Sequence, residues 1–261
     1  MKNICVITGA SSGIGREFFN KLIIDNDLKF DEFWVIARNE NNLNQLKDLT
    51  SIPVKVIALD LSKESSYFEY KNILQQEKPR IKLLVNCSGY GKFESVEKIG
   101  YEDNMNMIDL NVKGTVAINI LSLEYMDGGC GIINIASVAG YQPIPYINTY
   151  GASKAFVLNF TRALNKEVKK KGVKVMAVCP FWTKTKFFDR AVNTLKDPVV
   201  KKYVAMYNPE DIVKRAIKDY KKGKAVSLYG TVTKLQLLLV KTLPHSLVMK
   251  VWLSQQKLKD R

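Results

Sequence analysis

Short apolar runs alternate with longer amphipathic stretches along most of this chain of 261 residues. The runs are rich in Val and Ile and lie at 3–8, 32–37, 54–58, 82–86, 131–136, 174–179 and 225–228. Stretches with helical spacing of apolar residues lie between them, at 14–25, 40–50, 62–77, 101–126, 149–171 and 209–221. Nearly continuous apolar runs are typical of strands that are buried on both faces. The alternation predicts an α/β fold, a doubly wound parallel sheet of about seven strands with helices on both faces in a single domain.

A glycine-rich turn follows the first predicted strand. Its sequence is Thr8-Gly9-Ala10-Ser11-Ser12-Gly13-Ile14-Gly15. Gly9 permits a sharp turn, Gly13 lets the backbone approach a pyrophosphate, and Gly15 allows close packing of helix on strand. The phosphates would lie on the free N–H groups at the helix N-terminus, a cradle to which Ser11, Ser12 and Ile14 also belong. Because a strand precedes the motif and a helix follows it, we predict a Rossmann-type dinucleotide site rather than a purely structural turn.

The second predicted strand ends in Ala37-Arg38. Sites specific for NAD usually place an acidic residue near this point, where it binds the ribose hydroxyls. Ala37 offers no carboxylate, and the Arg38 guanidinium suits a 2′-phosphate. NADP(H) is therefore favoured over NAD(H), although a solvent-facing Arg38 is the alternative.

Further motifs follow in an order that resembles the short-chain dehydrogenase/reductase family. The glycine turn resembles the TGxxxGxG fingerprint, Asp60-Leu61 resembles the adenine-contacting pair, and Asn86-Cys87-Ser88-Gly89 resembles the NNAG motif. Pro180-Phe181-Trp182-Thr183-Lys184-Thr185 resembles the PGxVxT segment, and Asn111, Ser137, Tyr150 and Lys154 match the catalytic tetrad. Cys87, Ser88 and Phe181 depart from these patterns without removing a catalytic group. The resemblance spans about residues 2–190 and implies cofactor contacts at Asp60, Leu61, Asn86, Gly89, Pro180, Thr183 and Thr185.

Tyr150 and Lys154 are four residues apart, so one face of a helix can carry both. A neighbouring cation lowers the pKa of a phenol, which predicts that Tyr150 exchanges a proton with a carbonyl oxygen. Ser137 follows the fifth predicted strand and can hydrogen-bond that oxygen. The resemblance implies that Lys154 also holds the nicotinamide ribose and that Asn111 positions a water. The predicted function is NADP(H)-dependent interconversion of a carbonyl and an alcohol by hydride transfer.

Aromatic residues are frequent in the segments expected to wall the substrate pocket. The predicted pocket residues are Phe93, Tyr141, Ile144, Tyr146, Phe181, Trp182, Phe187 and Phe188. No pair of arginines that could bind a carboxylate or phosphate is evident, so an apolar small-molecule substrate is favoured. The alternative is that these side chains only pack a lid.

The last part of the chain is basic and apolar-faced. Residues 221–261 hold nine Lys or Arg against one acid, Asp260, within a net charge of +15. Two helix-compatible segments, 233–241 and 246–258, are separated at Pro244. We divide the chain into a dinucleotide-binding catalytic part, 1–230, and a C-terminal helical extension of the same domain, 231–261. Residues 225–261 are expected to pack beside the substrate opening or at a subunit contact, with their lysines outward. The alternative is a weak contact of this segment with a membrane surface.

Other functions are disfavoured by composition. Lys supplies 33 of the 40 basic residues, and nucleic-acid recognition favours Arg, so no nucleic-acid partner is predicted. Four Cys without metal-type spacing and a single His, His245, predict no metal site. No apolar run reaches the ~18 residues of a spanning helix, so a cytoplasmic protein is expected. The resemblance implies a homodimer or homotetramer, and the alternative function is a catalytically weak nucleotide-binding regulator or membrane-surface protein using the basic tail.

Overall fold

Seven parallel strands form one sheet in the computed structural model, which describes residues 1–192 and 198–258. The strands are β1 (Asn3–Thr8), β2 (Glu32–Ala37), β3 (Val54–Ala58), β4 (Arg80–Asn86), β5 (Gly131–Ile135), β6 (Lys174–Val178) and β7 (Val226–Ser227). Their order is β3-β2-β1-β4-β5-β6-β7, and every pairing is parallel. The strand order reverses at β1, so the predicted doubly wound sheet is confirmed.

The helices of the described residues are α1 (Gly13–Leu22), α2 (Glu40–Asn44), α3 (Glu64–Glu77), α4 (Val96–Ile108), α5 (Thr115–Leu123), α6 (Asn148–Glu167), α7 (Phe187–Ala191), α8 (Pro209–Lys221), α9 (Thr231–Thr242) and α10 (His245–Gln255). Helices α1 and α8 pack on one face of the sheet, and α3, α5 and α6 pack on the other. Successive side chains of a strand point to opposite faces. Cys5 and Ile7 of β1 therefore enter a core formed with α1 and α8, whereas Ile4 and Val6 enter a core formed with α3, α5 and α6.

Some predicted helices have different bounds in the structure. The stretch at 101–126 begins earlier, at Val96, and passes through a π-helical turn at Asp109–Gly114 before α5. The stretch at 40–50 forms only the short α2 and a 3₁₀ turn at Lys47–Leu49. Helix α7 has no counterpart among the predicted elements. Periodicity does not reveal a π turn or a five-residue helix, because each spans too few residues to establish a pattern.

Asp219 of α8 links that helix to the edge strand β7. Its side chain is 3% exposed and accepts hydrogen bonds from Arg215 Nε at 2.7 Å, Lys224 Nζ at 2.7 Å and Ser227 Oγ at 2.9 Å. Burial alone raises the pKa of Asp219, but these three partners outweigh burial and hold the pKa below its ordinary value. A lowered pKa stabilises the fold above the ordinary value of about 4, and the stabilisation is lost as the pH falls through the folded value.

We expect Asp219→Asn to lower the free energy of unfolding by about 2 kcal/mol at neutral pH, because the buried position loses its hydrogen-bonded charge. Urea denaturation at neutral pH and at a pH of about 3 measures the effect, and the difference from wild type should shrink in acid. The exposed Asp48→Asn serves as the control. An equal loss at both pH values would contradict a role for the carboxylate charge.

Candidate active site

A cleft of about 990 Å³ lies at the carboxyl edge of the sheet. The loops that follow β1 to β6 line it, since the ends of parallel strands meet at one edge. Predicted cofactor residues in its lining are Gly9, Ser11, Ser12, Gly13, Ile14, Gly15, Arg38, Asp60, Leu61, Gly89, Tyr150, Lys154, Pro180, Thr183 and Thr185. The structure thus brings residues from six strand ends into one cavity.

Asn86 is the predicted cofactor residue that lies outside the cleft lining. Its side chain is buried at the end of β4 and donates a hydrogen bond to Asn134 Oδ1 of β5 at 2.9 Å. The last side chain of a strand can turn toward the neighbouring strand instead of the loop edge. Asn86 therefore joins two central strands, and its contact with a cofactor stays a prediction.

The turn between β1 and α1 requires glycine at two positions. Gly9 has φ +67°, and a Cβ there would lie 2.9 Å from both Cys87 C and Ser88 N. A Cβ on Gly15 would overlap the carbonyl oxygen of Gly9. The Ser12 side chain makes no capping hydrogen bond to α1, so the first N–H groups of the helix stay available to an anion. This backbone cradle fits a phosphate group.

Arg38 lies at the rim of the cleft and is exposed. The pKa of the nearby Asp60 carboxyl is held below its ordinary value. Burial raises this pKa, but the hydrogen bonds from Ser62 outweigh burial, and the positive charge of Arg38 lowers the pKa further. The direct hydrogen bonds to Asp60 come from Ser62, whose Oγ lies at 2.7 Å and whose N lies at 3.1 Å. The Arg38 guanidinium therefore acts on Asp60 from a distance and faces the cleft.

Ser137, Tyr150 and Lys154 come together where the end of β5 meets the first turns of α6. The Lys154 Nζ lies 5.8 Å from the Tyr150 ring centroid and donates a hydrogen bond to the Ile135 carbonyl oxygen at 2.8 Å. The Ser137 Oγ accepts a hydrogen bond from the Ala139 N at 3.1 Å, which fixes the hydroxyl beside the phenol. All three side chains line the cleft, as the sequence predicts.

Burial shifts the proton affinities of this group. It raises the pKa of Tyr150 to about 12, although the Ser137 side chain lowers it in part. It also lowers the pKa of Lys154 to about 8. The sequence predicts a lowered Tyr150 pKa, but in the structure the desolvation of the phenolate dominates and the ammonium is directed to the Ile135 carbonyl. Tyr150 is thus a protonated phenol at neutral pH.

Asn111 lies behind the cleft wall, within the π-helical turn. The Asn111 side chain is fully buried. Its Nδ2 donates hydrogen bonds to the Tyr90 carbonyl oxygen at 2.9 Å and to Ser153 Oγ at 3.0 Å. Its Oδ1 accepts a hydrogen bond from the Tyr90 N at 3.1 Å. Its own carbonyl oxygen accepts from Thr115 Oγ1 at 2.8 Å. The Asn111 side chain therefore fastens the loop after β4 to α6. Sequence reasoning found this residue by motif but not its place in the structure.

Aromatic and aliphatic side chains form the inner wall of the cleft. The predicted pocket residues found there are Phe93, Ile144, Phe181, Trp182, Phe187 and Phe188. Phe93 makes an edge contact with Tyr150, with ring centroids 5.9 Å apart. This wall therefore adjoins the predicted catalytic phenol.

Two predicted pocket residues, Tyr141 and Tyr146, are not among the side chains that line the cleft. The Tyr141 hydroxyl accepts a hydrogen bond from Arg162 at 3.1 Å, and Lys241 Nζ lies 5.6 Å from its ring centroid. Tyr146 sits in a turn with φ +66°. Loop sequence shows that a side chain is aromatic but not which side of the loop it faces.

Helices α9 and α10 form part of the cleft wall, beside the substrate opening, which is one of the two positions that the sequence predicts for the C-terminal residues. Their lining residues are Val232, Leu235, Gln236, Leu239, Val240, Leu243, Val248, Val251, Trp252 and Gln255. Trp252 stacks on Trp182 with centroids 6.4 Å apart and donates its Nε1–H to the Pro145 carbonyl at 3.0 Å. Buried Gln256 accepts from Lys202 N at 3.0 Å and donates to Lys202 O at 2.9 Å. Apolar spacing indicated two helices beside the substrate opening or at a subunit contact, and these packing contacts place them at the cleft.

Polar and charged side chains also line this part of the cleft. Gln142 lines it, and its Oε1 is buried without a hydrogen-bond partner in the described chain. Lys186, Arg190 and Lys202 also line the cleft, and the Arg190 guanidinium lies 3.3 Å from the Tyr90 ring centroid. Within residues 1–192 and 198–258, no group of three or more His, Cys, Asp or Glu side chains could hold a metal ion.

None of the helices in the described ranges combines the length and the apolar character needed to cross a bilayer.

Known proteins resemble this chain in both sequence and structure. The family model for short chain dehydrogenase matches residues 3–196. An uncharacterised oxidoreductase of Staphylococcus epidermidis is 32% identical over 181 residues, covering 69% of this chain and 77% of that protein. Sulfoacetaldehyde reductase 2 of Chromohalobacter salexigens is 33% identical over 196 residues, covering 72% and 75%. A short-chain dehydrogenase from Sphingobium yanoikuyae in complex with NADPH has a TM-score of 0.74 at 24% identity, covering 94% of this chain and 97% of that chain.

Fold and sequence agree on the class, which is a Rossmann-type oxidoreductase. Because the family model spans 3–196 and a relative above 30% identity covers 69% of the chain, the chain belongs to the short-chain dehydrogenase family.

Proposed function

We propose that this protein is an NADP(H)-dependent enzyme that interconverts a carbonyl and an alcohol on an apolar small molecule. One observation carries the proposal: the glycine cradle and the group of Ser137, Tyr150 and Lys154 line the same cleft. Residues 1–230 would contribute this machinery, and 231–261 would form one wall of the substrate site. The position of α9 and α10 in the cleft lining supports this role.

A bound nicotinamide cofactor would supply the hydride that reaches the carbonyl carbon. Tyr150 donates its phenolic proton to the carbonyl oxygen, and in the reverse reaction the phenolate takes that proton back. Ser137 hydrogen-bonds the same oxygen and so orients the substrate. Lys154 places a positive charge beside the phenol, which stabilises the phenolate left after transfer. Asn111 acts as a positioning residue, because it holds the loop after β4 against α6.

The inner wall supports an apolar substrate. Phe93, Phe187 and Trp182 lie in one aromatic cluster beside Tyr150, so a carbonyl presented to the phenol is surrounded by apolar surface. The unpartnered Gln142 Oε1 could accept a hydrogen bond from one polar group of the substrate. We therefore infer a bulky apolar carbonyl compound that carries a single hydrogen-bond donor.

Oxidation of NADPH with a panel of carbonyl compounds tests the proposed function. The panel should contain matched ketones and aldehydes of rising apolar size, together with short charged carbonyls. We expect turnover to rise with apolar size. Cofactor binding without turnover of any compound would instead favour the alternative of a nucleotide-binding protein without activity.

Cofactor preference is expected to depend on Arg38. NADPH should bind more tightly than NADH, because the Arg38 guanidinium can pair the 2′-phosphate and Ala37 offers no acid. Arg38→Asp should reduce NADPH affinity by about 10- to 100-fold, the value of a charge-assisted hydrogen bond. Fluorescence titration with both cofactors measures this, with the exposed Lys47→Asp as the charge-matched control. A wild-type preference for NADH would overturn the assignment.

We also propose a homodimer or homotetramer that associates through the helices carrying Asn111 and Tyr150, as the family resemblance implies. These are the continuous helical segment from α4 through the π-helical turn to α5, and α6. Tyr101 of α4 is 79% exposed and Phe156 of α6 is 44% exposed, and large apolar residues of this kind are suited to a subunit contact. Light scattering at micromolar concentration should give a multiple of the 29.6 kDa chain mass. Tyr101→Glu with Phe156→Glu should shift it to the monomer, whereas Phe68→Glu on α3 should not. A wild-type monomer would contradict the proposal.

A further inference from the structure

The outward side of α9 and α10 is apolar although it faces solvent. Five exposed apolar residues make up what we call the α9–α10 face. They are Leu235 (61% exposed), Leu238 (59%), Leu239 (49%), Leu247 (44%) and Val251 (47%). Helix α9 packs on the body through a different side, which holds Thr233, Leu237 and Val240. Single exposed leucines are ordinary, but five large apolar side chains on consecutive helices form a patch of the kind that binds something.

The charges that α9 and α10 carry have one sign. Residues 231–255 contain Lys234, Lys241 and Lys250 and no Asp or Glu. Lys234 of α9 and Lys250 of α10 are exposed beside the leucines. Lysines that flank an apolar helix face are typical of helices that lie in a lipid interface, where the charges reach anionic headgroups. The same charges would repel each other across a contact between two copies of this face.

The α9–α10 face is continuous with the cleft. Leu235, Leu239 and Val251 are exposed and also line the cavity. Deeper in the same wall, Trp252 stacks on Trp182. An apolar path therefore leads from the outer surface to the aromatic wall of the site.

We propose that the α9–α10 face docks this protein on the surface of an anionic lipid bilayer, with the leucines in the interface and the lysines at the headgroups. The cleft then opens toward lipid. This docking is peripheral, and it does not depend on the proposed catalytic activity.

Flotation of the full-length protein with vesicles tests the docking. Vesicles of phosphatidylcholine alone are compared with vesicles that contain phosphatidylglycerol, at low and at high salt. We expect the protein to float with the anionic vesicles only. The bound fraction should fall at least about fivefold at high salt, because salt screens the attraction between the lysines and the anionic headgroups.

Two variants separate the apolar and the charged contributions. Leu238→Gln with Leu247→Gln should reduce binding to anionic vesicles at least about tenfold, since both side chains are removed from the interface. Ile24→Gln, at a residue 70% exposed on the body, should not. Lys234→Gln with Lys250→Gln should weaken binding, whereas Lys169→Gln with Lys170→Gln at the end of α6 should not. Unchanged melting temperatures show that each variant is folded.

The proposal is overturned if wild type fails to bind anionic vesicles, or if the leucine pair can be replaced without loss of binding. It is also overturned if sedimentation without lipid shows that Leu238→Gln with Leu247→Gln dissociates an oligomer, because the face would then be a contact between copies.

Discussion

Tyr150→Phe is expected to reduce kcat for carbonyl reduction by about 10²- to 10⁴-fold, the usual contribution of a positioned general acid. The phenylalanine ring keeps the contacts with Phe93 and Phe187, whose centroids lie 5.9 Å and 5.4 Å from that of Tyr150. Only the proton donor is lost, so NADPH affinity should stay nearly unchanged. Single-turnover kinetics together with cofactor titration separates the two effects.

The matched control is Tyr141→Phe, which removes a hydroxyl that accepts from Arg162 outside the cleft. It should leave kcat unchanged. The pH profile adds a second test: because burial raises the pKa of Tyr150 to about 12, the phenol stays protonated at neutral pH. Carbonyl reduction should therefore proceed at neutral pH. The rate of alcohol oxidation should increase as the pH rises, because this direction needs the phenolate form of Tyr150. Near-normal turnover in Tyr150→Phe would rule out this residue as the proton donor.

Lys154→Ala is expected to damage both catalysis and cofactor binding. The ammonium is 6% exposed and lies 5.8 Å from the Tyr150 ring, so its removal takes away the charge that favours the phenolate. We expect kcat to fall by at least about 10²-fold and NADPH affinity by about tenfold, since Lys154 is proposed to hold the nicotinamide ribose as well. Stopped-flow turnover and fluorescence titration measure the two losses.

Lys166→Ala, on the exposed side of the same helix, is the control and should change neither quantity. Lys154→Met keeps the length of the side chain while removing its charge, so it distinguishes lost packing from lost charge. If Lys154→Met restored wild-type turnover, the charge of Lys154 would have no part in the reaction.

The strand pattern was sufficient to predict the sheet. Runs such as Asn3–Thr8 and Glu32–Ala37 have the bounds that the structure shows, because strands buried on both faces are apolar along nearly their whole length. The edge strand Val54–Ala58 also has the predicted bounds, although it is largely half-buried and includes Lys55. The glycine turn was equally informative, since the backbone at Gly9 and Gly15 leaves no room for a Cβ. Local constraints of this kind can be inferred from the sequence alone.

The environment of each site residue could not be predicted in the same way. The spacing of Tyr150 and Lys154 placed them on one helix face, but the direction of the ammonium toward Ile135 O and the raised Tyr150 pKa depend on burial by other segments. Asn111 was found by motif, while its hydrogen bonds to Tyr90 depend on a loop 21 residues away. Burial and hydrogen-bond partners are properties of the assembled fold.

The sequence by itself determined the fold class and the position of the glycine turn, and it named the residues proposed for catalysis, because each rests on local periodicity, steric limits or a short motif. The tertiary structure alone decided that Tyr141 accepts a hydrogen bond from Arg162, that Asn86 pairs with Asn134, and that Trp252 stacks on Trp182. In each case the side chain could have packed in more than one direction. The direction it takes depends on the shape and polarity of segments that are distant in sequence, and a local sequence pattern contains no information about those segments.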